Sequence, residues 1–277
     1  MTTSISIASI KEAAKSIQSQ SQNFKPQFGI ILGTGLGNLV NDIDIRYELP
    51  YADLPHFPVS TVESHKGKLI LGYLKNKPIV AMQGRFHYYE GYTMEQVVFP
   101  VRVMKYLGIE RLFISNAAGS LNPNMDAGDL MIVRDHINLQ PANPLRGKNL
   151  DKLGVRFPDM SRPYNLEMIE AGMAIAEKHQ IRCHSGVYVS VPGPNLETKA
   201  ECKYLHLIGA DAVGMSTVPE VIAAVHAQIP VFAISVLTNE NYPPKRVKEV
   251  TVAEVIKVAL KAEPKMTLVI KEMIGGM

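Results

Sequence analysis

The amino-acid sequence predicts a mixed α/β fold built as one domain, on three observations. Short apolar runs rich in Ile, Val, Leu and Phe alternate with segments of helical spacing along the whole length, the pattern of strands and helices laid down in turn. No internal repeat, linker or shift of composition divides residues 1–277. With 46% hydrophobic residues, a chain of 277 residues can bury one large core.

The elements follow in order. Ile7, Ile10, Ala13, Ala14 and Ile17 recur at helical spacing, so the first element is a helix that gives out in the polar run 19–23. Phe28–Leu32 is an uninterrupted apolar run and reads as the first core strand. Residues 68–74 and 78–82, separated by Lys75, Asn76 and Lys77, form a hairpin pattern. Residues 93–107 carry a helical pattern with Pro100 inside it, which predicts a kink or an early break there. Strands are expected at 111–116 and 129–133. Residues 134–163 are rich in Pro, Asn, Arg and Gly with little periodicity, and so long a loop in a compact domain suits a lid or a subunit contact. Beyond it come a helix near 164–179, strand 186–191, helix 197–208, strand 211–213, helix 217–228, strand 231–237 and a final helix from about 251 to 272.

Charge and cysteine usage narrow the function. The 29 basic and 26 acidic residues nearly balance, for a net charge of +3, and no dense Lys/Arg block appears, so nucleic acid is not a favoured partner. The two cysteines, Cys183 and Cys202, are too few for a disulfide framework or a thiolate metal site, which makes a reducing compartment the expectation. The first residues lack a basic stretch followed by a long apolar one, and no run approaches the ~18 apolar residues of a membrane span. The expectation is a soluble, cytoplasmic protein.

Chemistry-bearing residues gather where strands give out, the place at which open α/β sheets bind ligands. After the run 78–82 come Gly84, Arg85, Phe86, His87, Tyr88, Tyr89, Glu90, Gly91 and Tyr92. Arg85 and His87 are two apart, so an extended backbone points both to one side, where a guanidinium and an imidazole can meet one anion. Gly33, Thr34, Gly35, Leu36 and Gly37 follow the first strand and allow main-chain N–H groups close to an anion beside the Thr34 hydroxyl. The dinucleotide fingerprint G-x-G-x-x-G is broken by Asn38, which disfavours a nicotinamide-dependent dehydrogenase. Asn116, Ala117, Ala118, Gly119 and Ser120 follow the strand 111–116 in the same way.

Three further residues each have an ordinary structural role beside a chemical one. Glu197 begins a helix, where it can offset the helix dipole or present a carboxylate. Ser216, ahead of another helix, can cap it or place its hydroxyl on an anion. Asn239 ends the strand 231–237 in the run Thr238, Asn239, Glu240, Asn241, where it can shape a turn or offer a donor and an acceptor together.

Taken in order, these segments resemble the purine nucleoside phosphorylases of the trimeric type, which cleave 6-oxopurine nucleosides with phosphate. The resemblance runs from about Phe28 to the last helix, and its most specific pieces are 84–92, 115–119, 193–198 and 209–221. It implies a twisted mixed sheet partly closed into a distorted barrel with helices around it, a single nucleoside phosphorylase domain over 1–277, and a role in purine salvage. It implies a phosphate pocket of Thr34, His65, Arg85, His87, the Ala117 main chain and Ser216. Tyr89, Asn116, Leu196 and Met215 would contact the nucleoside, Glu197 and Asn239 would face the base, and His87, Glu197 and Asn239 would carry the catalysis. Phe157 resembles a residue that reaches into a neighbouring subunit's site, which implies a homotrimer. No metal or organic cofactor is implied, inorganic phosphate being the co-substrate.

Three positions depart from the family's pattern. Leu196 stands where an aromatic residue usually stacks on the base, Glu240 where Lys is frequent, and Val252 where a His usually meets the ribose 5′-hydroxyl. An apolar Val252 opens an alternative, a phosphorylase for methylthioadenosine-like nucleosides. Against it, adenine-directed relatives carry Asp in place of Asn239 and lack the pair Glu197 and Thr198. A nucleoside- or phosphate-binding protein without catalysis is the reading from another class.

Overall fold

Helix α1 (Ile7–Gln20) opens the fold, started by a capping box in which Ser6 and Ser9 satisfy each other's main-chain N–H groups. It buries the expected Ile10, Ala13, Ala14 and Ile17. The computed structural model describes residues 5–59, 61 and 66–277. Strand β1 (Phe28–Leu32) is buried at every position, as a parallel strand covered on both faces must be. β2 (Asp44–Pro50) is an additional strand that the sequence patterns did not predict; its residues are largely exposed and, among the described strands, it pairs only with β3. Charge and a terminal Pro suit such an edge and hide it from a search for apolar runs. β3 (Lys68–Leu74) and β4 (Lys77–Gln83) form the expected antiparallel hairpin.

The helical pattern at 93–107 is broken, as expected, although the break falls at Val98. α2 (Met94–Val97) ends there, α3 (Phe99–Leu107) begins, and Pro100 occupies the first turn of α3, where its missing N–H costs nothing. β5 (Arg111–Ser120) runs four residues beyond the expected strand, so residues 117–120 belong to the sheet and not to a loop behind it. The reason is pairing: β5 continues beside β9 as far as Ser120 and meets β8 at Gly119 and Ser120. β6 (Leu130–Asn138) shortens the expected long loop to residues 139–163. α4 (Leu166–Lys178), β7 (Cys183–Ser190), α5 (Lys199–Leu207), β8 (Ala212–Gly214), α6 (Val218–His226), β9 (Val231–Glu240) and α7 (Val252–Gly276) complete the chain close to their expected places.

The described strands form one mixed sheet in the order β2-β3-β4-β1-β5-β8-β7-β6-β9, and β9 returns to pair with β5. Strands β5, β8, β7, β6 and β9 therefore close into a five-stranded barrel, and β1, β4, β3 and β2 extend from it as a twisted wing. This is the single α/β domain with a distorted barrel that the resemblance implied. Strands β4, β1, β5 and β9 run parallel to one another, so four strand ends open on one side of the molecule. Among the described residues, no helix is long and apolar enough to cross a membrane.

Candidate active site

At those strand ends lies a cavity of about 510 Å³, of the size that encloses a small organic ligand. Its wall carries Thr34, Arg85, His87, Tyr89, Asn116, Ala117, Leu196, Glu197, Met215, Ser216 and Asn239 together. Every described site residue of the sequence reading except Phe157 is thus brought to one place. His65 lies outside the described residues. Phe157 is 86% exposed on the loop 139–163 and lines a separate hollow with His136, Arg146 and Arg156, so it takes no part in its own chain's cavity.

One end of the cavity is cationic and rich in hydroxyls. β1 reaches it through Gly33, where a Cβ would stand 2.8 Å from the Ser115 carbonyl oxygen; only glycine allows the loop so near β5. The α7 carboxylate of Glu263 holds the far side of that loop, accepting from the Asn38 main-chain N–H and side-chain amide, each at 2.6 Å. Arg85 is 1% exposed. Its guanidinium donates to the Ser216 hydroxyl at 2.7 Å and to the Thr217 hydroxyl at 3.3 Å, and its Nε lies 3.3 Å from the buried Glu220 carboxylate. Ser216 therefore does not cap α6. The N-cap is Thr217, which makes no side-chain capping bond.

Thr217 itself is held at φ 71° and ψ −55°, and the Val218 N–H donates to the Ser216 carbonyl at 2.8 Å. These are the marks of a γ-turn of the strained kind, which costs on the order of 1–3 kcal/mol. What holds it is visible: the Thr217 hydroxyl accepts from Arg85 and from the Asn116 amide at 2.9 Å, while the Ser216 carbonyl accepts from the Ser190 hydroxyl at 3.1 Å. The strain turns the hydroxyls of Ser216 and Thr217 toward Arg85.

His87 follows in extended backbone, on the same side as Arg85, as its spacing predicted. The Glu90 carboxylate accepts from the His87 main-chain N–H at 2.8 Å and lies 3.0 Å from Nδ1. Its second oxygen accepts from the main chain and hydroxyl of Thr61 at 2.8 and 2.6 Å. Burial opposes the charge on Glu90, but the hydrogen bonds from His87 and Thr61 outweigh it and hold its pKa at about 2. Burial pulls the His87 pKa down, with the charge of Arg85 acting in the same direction against the pull of Glu90. The Nδ1–H is thereby committed to Glu90, which leaves Nε2 as the variable atom. Tyr89 stacks on the imidazole with ring centroids 4.7 Å apart.

The other end of the cavity has a different chemistry. Glu197 precedes the Thr198 N-cap of α5, and its carboxylate faces the cavity; dipole compensation falls instead to Glu201 of the capping box. Burial raises the Glu197 pKa, helped by the nearby charge of Glu201. The Asn239 amide donates to Asn241 Oδ1 at 2.6 Å and accepts from the Thr238 hydroxyl at 2.9 Å. Asn241 in turn donates to the Glu197 carboxylate at 3.3 Å. Val252, Val255 and Ile256 of α7 add apolar surface to the wall, as does Leu196, which is 52% exposed.

One cavity thus brings a cationic, hydroxyl-rich group of residues and a carboxylate–amide group together. Residues 27–275 match the family model described as "Phosphorylase superfamily". The chain is 52% identical to purine nucleoside phosphorylase 1 of Geobacillus stearothermophilus over 77% of this chain and 78% of that one. It is 48% identical to the purine nucleoside phosphorylase of Bos taurus over 83% of this chain and 81% of that one. The chain belongs to the purine nucleoside phosphorylase family. Its fold superimposes on a Schistosoma mansoni purine nucleoside phosphorylase solved with inosine, at a TM-score of 0.92 and 38% identity, covering 98% of this chain and 97% of that one. A second structure from that organism, isoform 2 with cytosine and ribose-1-phosphate, matches at a TM-score of 0.93 and 39% identity, covering 98% and 96%.

Four residues in and around this cavity carried no role in the sequence reading. Glu90 was seen only as part of its cluster, although its place three residues after His87 is the capping-box spacing. Glu220 stands in the first turn of α6, where a carboxylate reads as ordinary dipole compensation and so gave no signal of its contact with Arg85. Asn241 shares with Asn239 the two-residue spacing that linked Arg85 to His87. Thr217 had no sequence signal, since nothing in its neighbours demands a positive φ.

Proposed function

We propose that this chain catalyses the phosphorolysis of 6-oxopurine ribonucleosides and deoxyribonucleosides such as inosine and guanosine, releasing the purine and a (deoxy)ribose 1-phosphate. The observation that carries this reading is the two-ended cavity: Arg85, His87, Ser216, Thr34 and the Ala117 main chain at one end, Glu197 and Asn239 at the other. Phosphate, a dianion with oxygens to share, suits the first end. A base with an N1–H donor and an N7 acceptor suits the second.

The mechanism follows from where charge develops. As the glycosidic bond stretches, the sugar gains oxocarbenium character and the purine gains negative charge. Asn239 Nδ2 carries two hydrogens; one is on Asn241, and the second is aimed at N7, where it stabilises charge that grows only in the transition state. The Glu197 carboxylate accepts from N1–H and, in guanine, from the exocyclic amine. Phosphate stabilises the cationic sugar and then bonds to the anomeric carbon with inversion, while the arrangement of Arg85 and Ser216 fixes it beneath that carbon. The reaction in this reading needs no metal or organic cofactor.

The active unit in this proposal is a homotrimer in which Phe157 reaches a neighbour's site; its 86% exposure on the loop 139–163 supports that role. Cytoplasmic residence is supported by two free cysteines, Cys183 and Cys202. One observation favours a second reading, a phosphorylase for 5′-alkylthio nucleosides: the apolar wall of Val252, Val255 and Ile256. A panel of inosine, guanosine, adenosine and methylthioadenosine, each with and without phosphate, separates the two. Phosphate-dependent base release from inosine and guanosine is the expected result. Preference for the last two substrates would overturn the base assignment, and ligand-induced stabilisation without turnover would mark a binding protein.

A further inference from the structure

Asn241 is 8% exposed, lines the cavity, and is the link between the two groups that face the base. It accepts from the Asn239 amide at 2.6 Å and donates to a Glu197 oxygen at 3.3 Å. Its place is built: the Asn241 main-chain N–H donates to the Ser120 carbonyl at 2.7 Å, and its amide passes over Gly119, where a Cβ would stand 2.5 Å from Asn241 Nδ2. The amide serves both neighbours at once through separate atoms, offering its oxygen to Asn239 and its N–H to the carboxylate.

The donor is the informative half. An N–H aimed at a carboxylate favours its charged form, whereas burial and the charge of Glu201 push Glu197 toward neutrality. Around Glu197 stand Glu201 and Cys202 from α5, with the Cys202 thiol 4.0 Å from the Glu197 carbonyl, its own main-chain N–H, which favours the charged form, and the amide of Asn241 beyond β9. Glu240 is turned away into an ion pair with Arg246. Asn241 is therefore the side-chain donor in this set that opposes protonation of Glu197. A charged Glu197 accepts from the N1–H of a 6-oxopurine. A protonated Glu197 would donate to the bare N1 of a 6-aminopurine.

We propose that Asn241 is the positioning residue that sets base preference, by holding Glu197 as a hydrogen-bond acceptor and aiming the Asn239 amide at the base. This rests on the phosphorolysis reading above. Asn241→Asp keeps the acceptor toward Asn239 but sets two carboxylates within hydrogen-bond distance, where one must take up a proton.

The test is kcat/KM for inosine and for adenosine, with phosphate, between pH 6 and pH 9, in the wild type, N241D and N241A. For N241D the inosine-to-adenosine ratio is expected to fall about a hundredfold at pH 7 and to recover as pH rises and the shared proton leaves. For N241A it is expected to fall about tenfold, with inosine losing and adenosine gaining little. A loss of folding quality would lower both substrates together and leave the ratio and its pH profile unmoved. Ratios within threefold of wild type in N241D, or in N241A should N241D fail to fold, would overturn the inference. A wild type that releases no base from either nucleoside would sink the phosphorolysis reading itself.

Discussion

Replacing Asn239 by Ala removes the donor assigned to the leaving purine, and the structure sets what else it removes. Asn239 is half-buried, its Oδ1 accepts from Thr238 at 2.9 Å, and its Nδ2 donates to Asn241 at 2.6 Å. The Thr238 hydroxyl has a second acceptor in the Ala118 carbonyl at 3.2 Å, and Asn241 Oδ1 borders a cavity that water can enter. The cost in stability is therefore that of an ordinary hydrogen bond, about 1 kcal/mol, or a fall of about 2–4 °C in Tm. The cost in rate is larger, because the lost interaction strengthens as the bond breaks. A single donor of this kind is worth about 10²–10³ in kcat, or about 3–4 kcal/mol. The Asn239 side chain is hydrogen-bonded to Thr238 and Asn241, so KM for phosphate should stay within about threefold of wild type. Steady-state release of hypoxanthine from inosine, with phosphate varied at saturating nucleoside, measures both quantities. An N239A enzyme with kcat within about threefold of wild type would refute the leaving-group role, and a loss confined to the KM for phosphate would place Asn239 at the wrong end of the site.

Three further perturbations probe the other parts. Arg85→Lys replaces a fork that reaches Ser216, Thr217 and Glu220 by a point charge, and should raise KM for phosphate by about tenfold or more in initial-rate assays. Glu90→Gln tests acid stability: with the folded pKa near 2 against an ordinary 4.5, the charged carboxylate stabilises the fold fully above about pH 4.5 and loses that effect as pH falls toward 2. Of that effect at most about 2 kcal/mol is lost between pH 7 and pH 3, so urea unfolding at the two pH values should show a smaller acid loss in E90Q than in wild type. Phe157→Ala, at an 86% exposed position, should leave the unfolding midpoint unchanged while lowering kcat/KM for inosine about tenfold, with the oligomer seen by sedimentation intact.

What could be read in the sequence depended on whether the cause was local. β1 announced itself because all five residues are buried, and the hairpin of β3 and β4 because two apolar runs flank a short polar turn. The tails of β5 and β9 were missed for the opposite reason. Residues 117–120 are small and 238–240 polar, with no strand character of their own; each is a strand only because the other lies beside it. β2 was missed because an edge strand with one neighbour needs no apolar face. The site residues followed the same division. Arg85, His87, Glu197 and Asn239 stand in clusters that point to chemistry, whereas Thr217 and Glu220 matter through contacts with Arg85, more than 130 residues earlier in the chain.

The closing of the barrel also explains how one strand end supplies three neighbouring wall groups. In a regular strand successive side chains point to opposite faces, so Thr238 and Asn239 cannot both face a cavity. Both do, together with Asn241. The register gives the cause: Leu237 pairs with Ala118 and Asn239 with Gly119, so Thr238 is an extra residue on β9. A bulge of this kind bends a strand and re-aims its side chains, and it requires room on the opposite strand. Gly119 provides that room, since a Cβ there would lie 3.2 Å from Asn239 Nδ2 and closer still to Asn241. The bulge turns Asn239 inward, Gly119 lets the amides pass, and Asn241 then bridges to Glu197. The base-facing end is thus a consequence of how β9 and β5 meet, and a side chain at position 119 would disturb it without touching the cationic end.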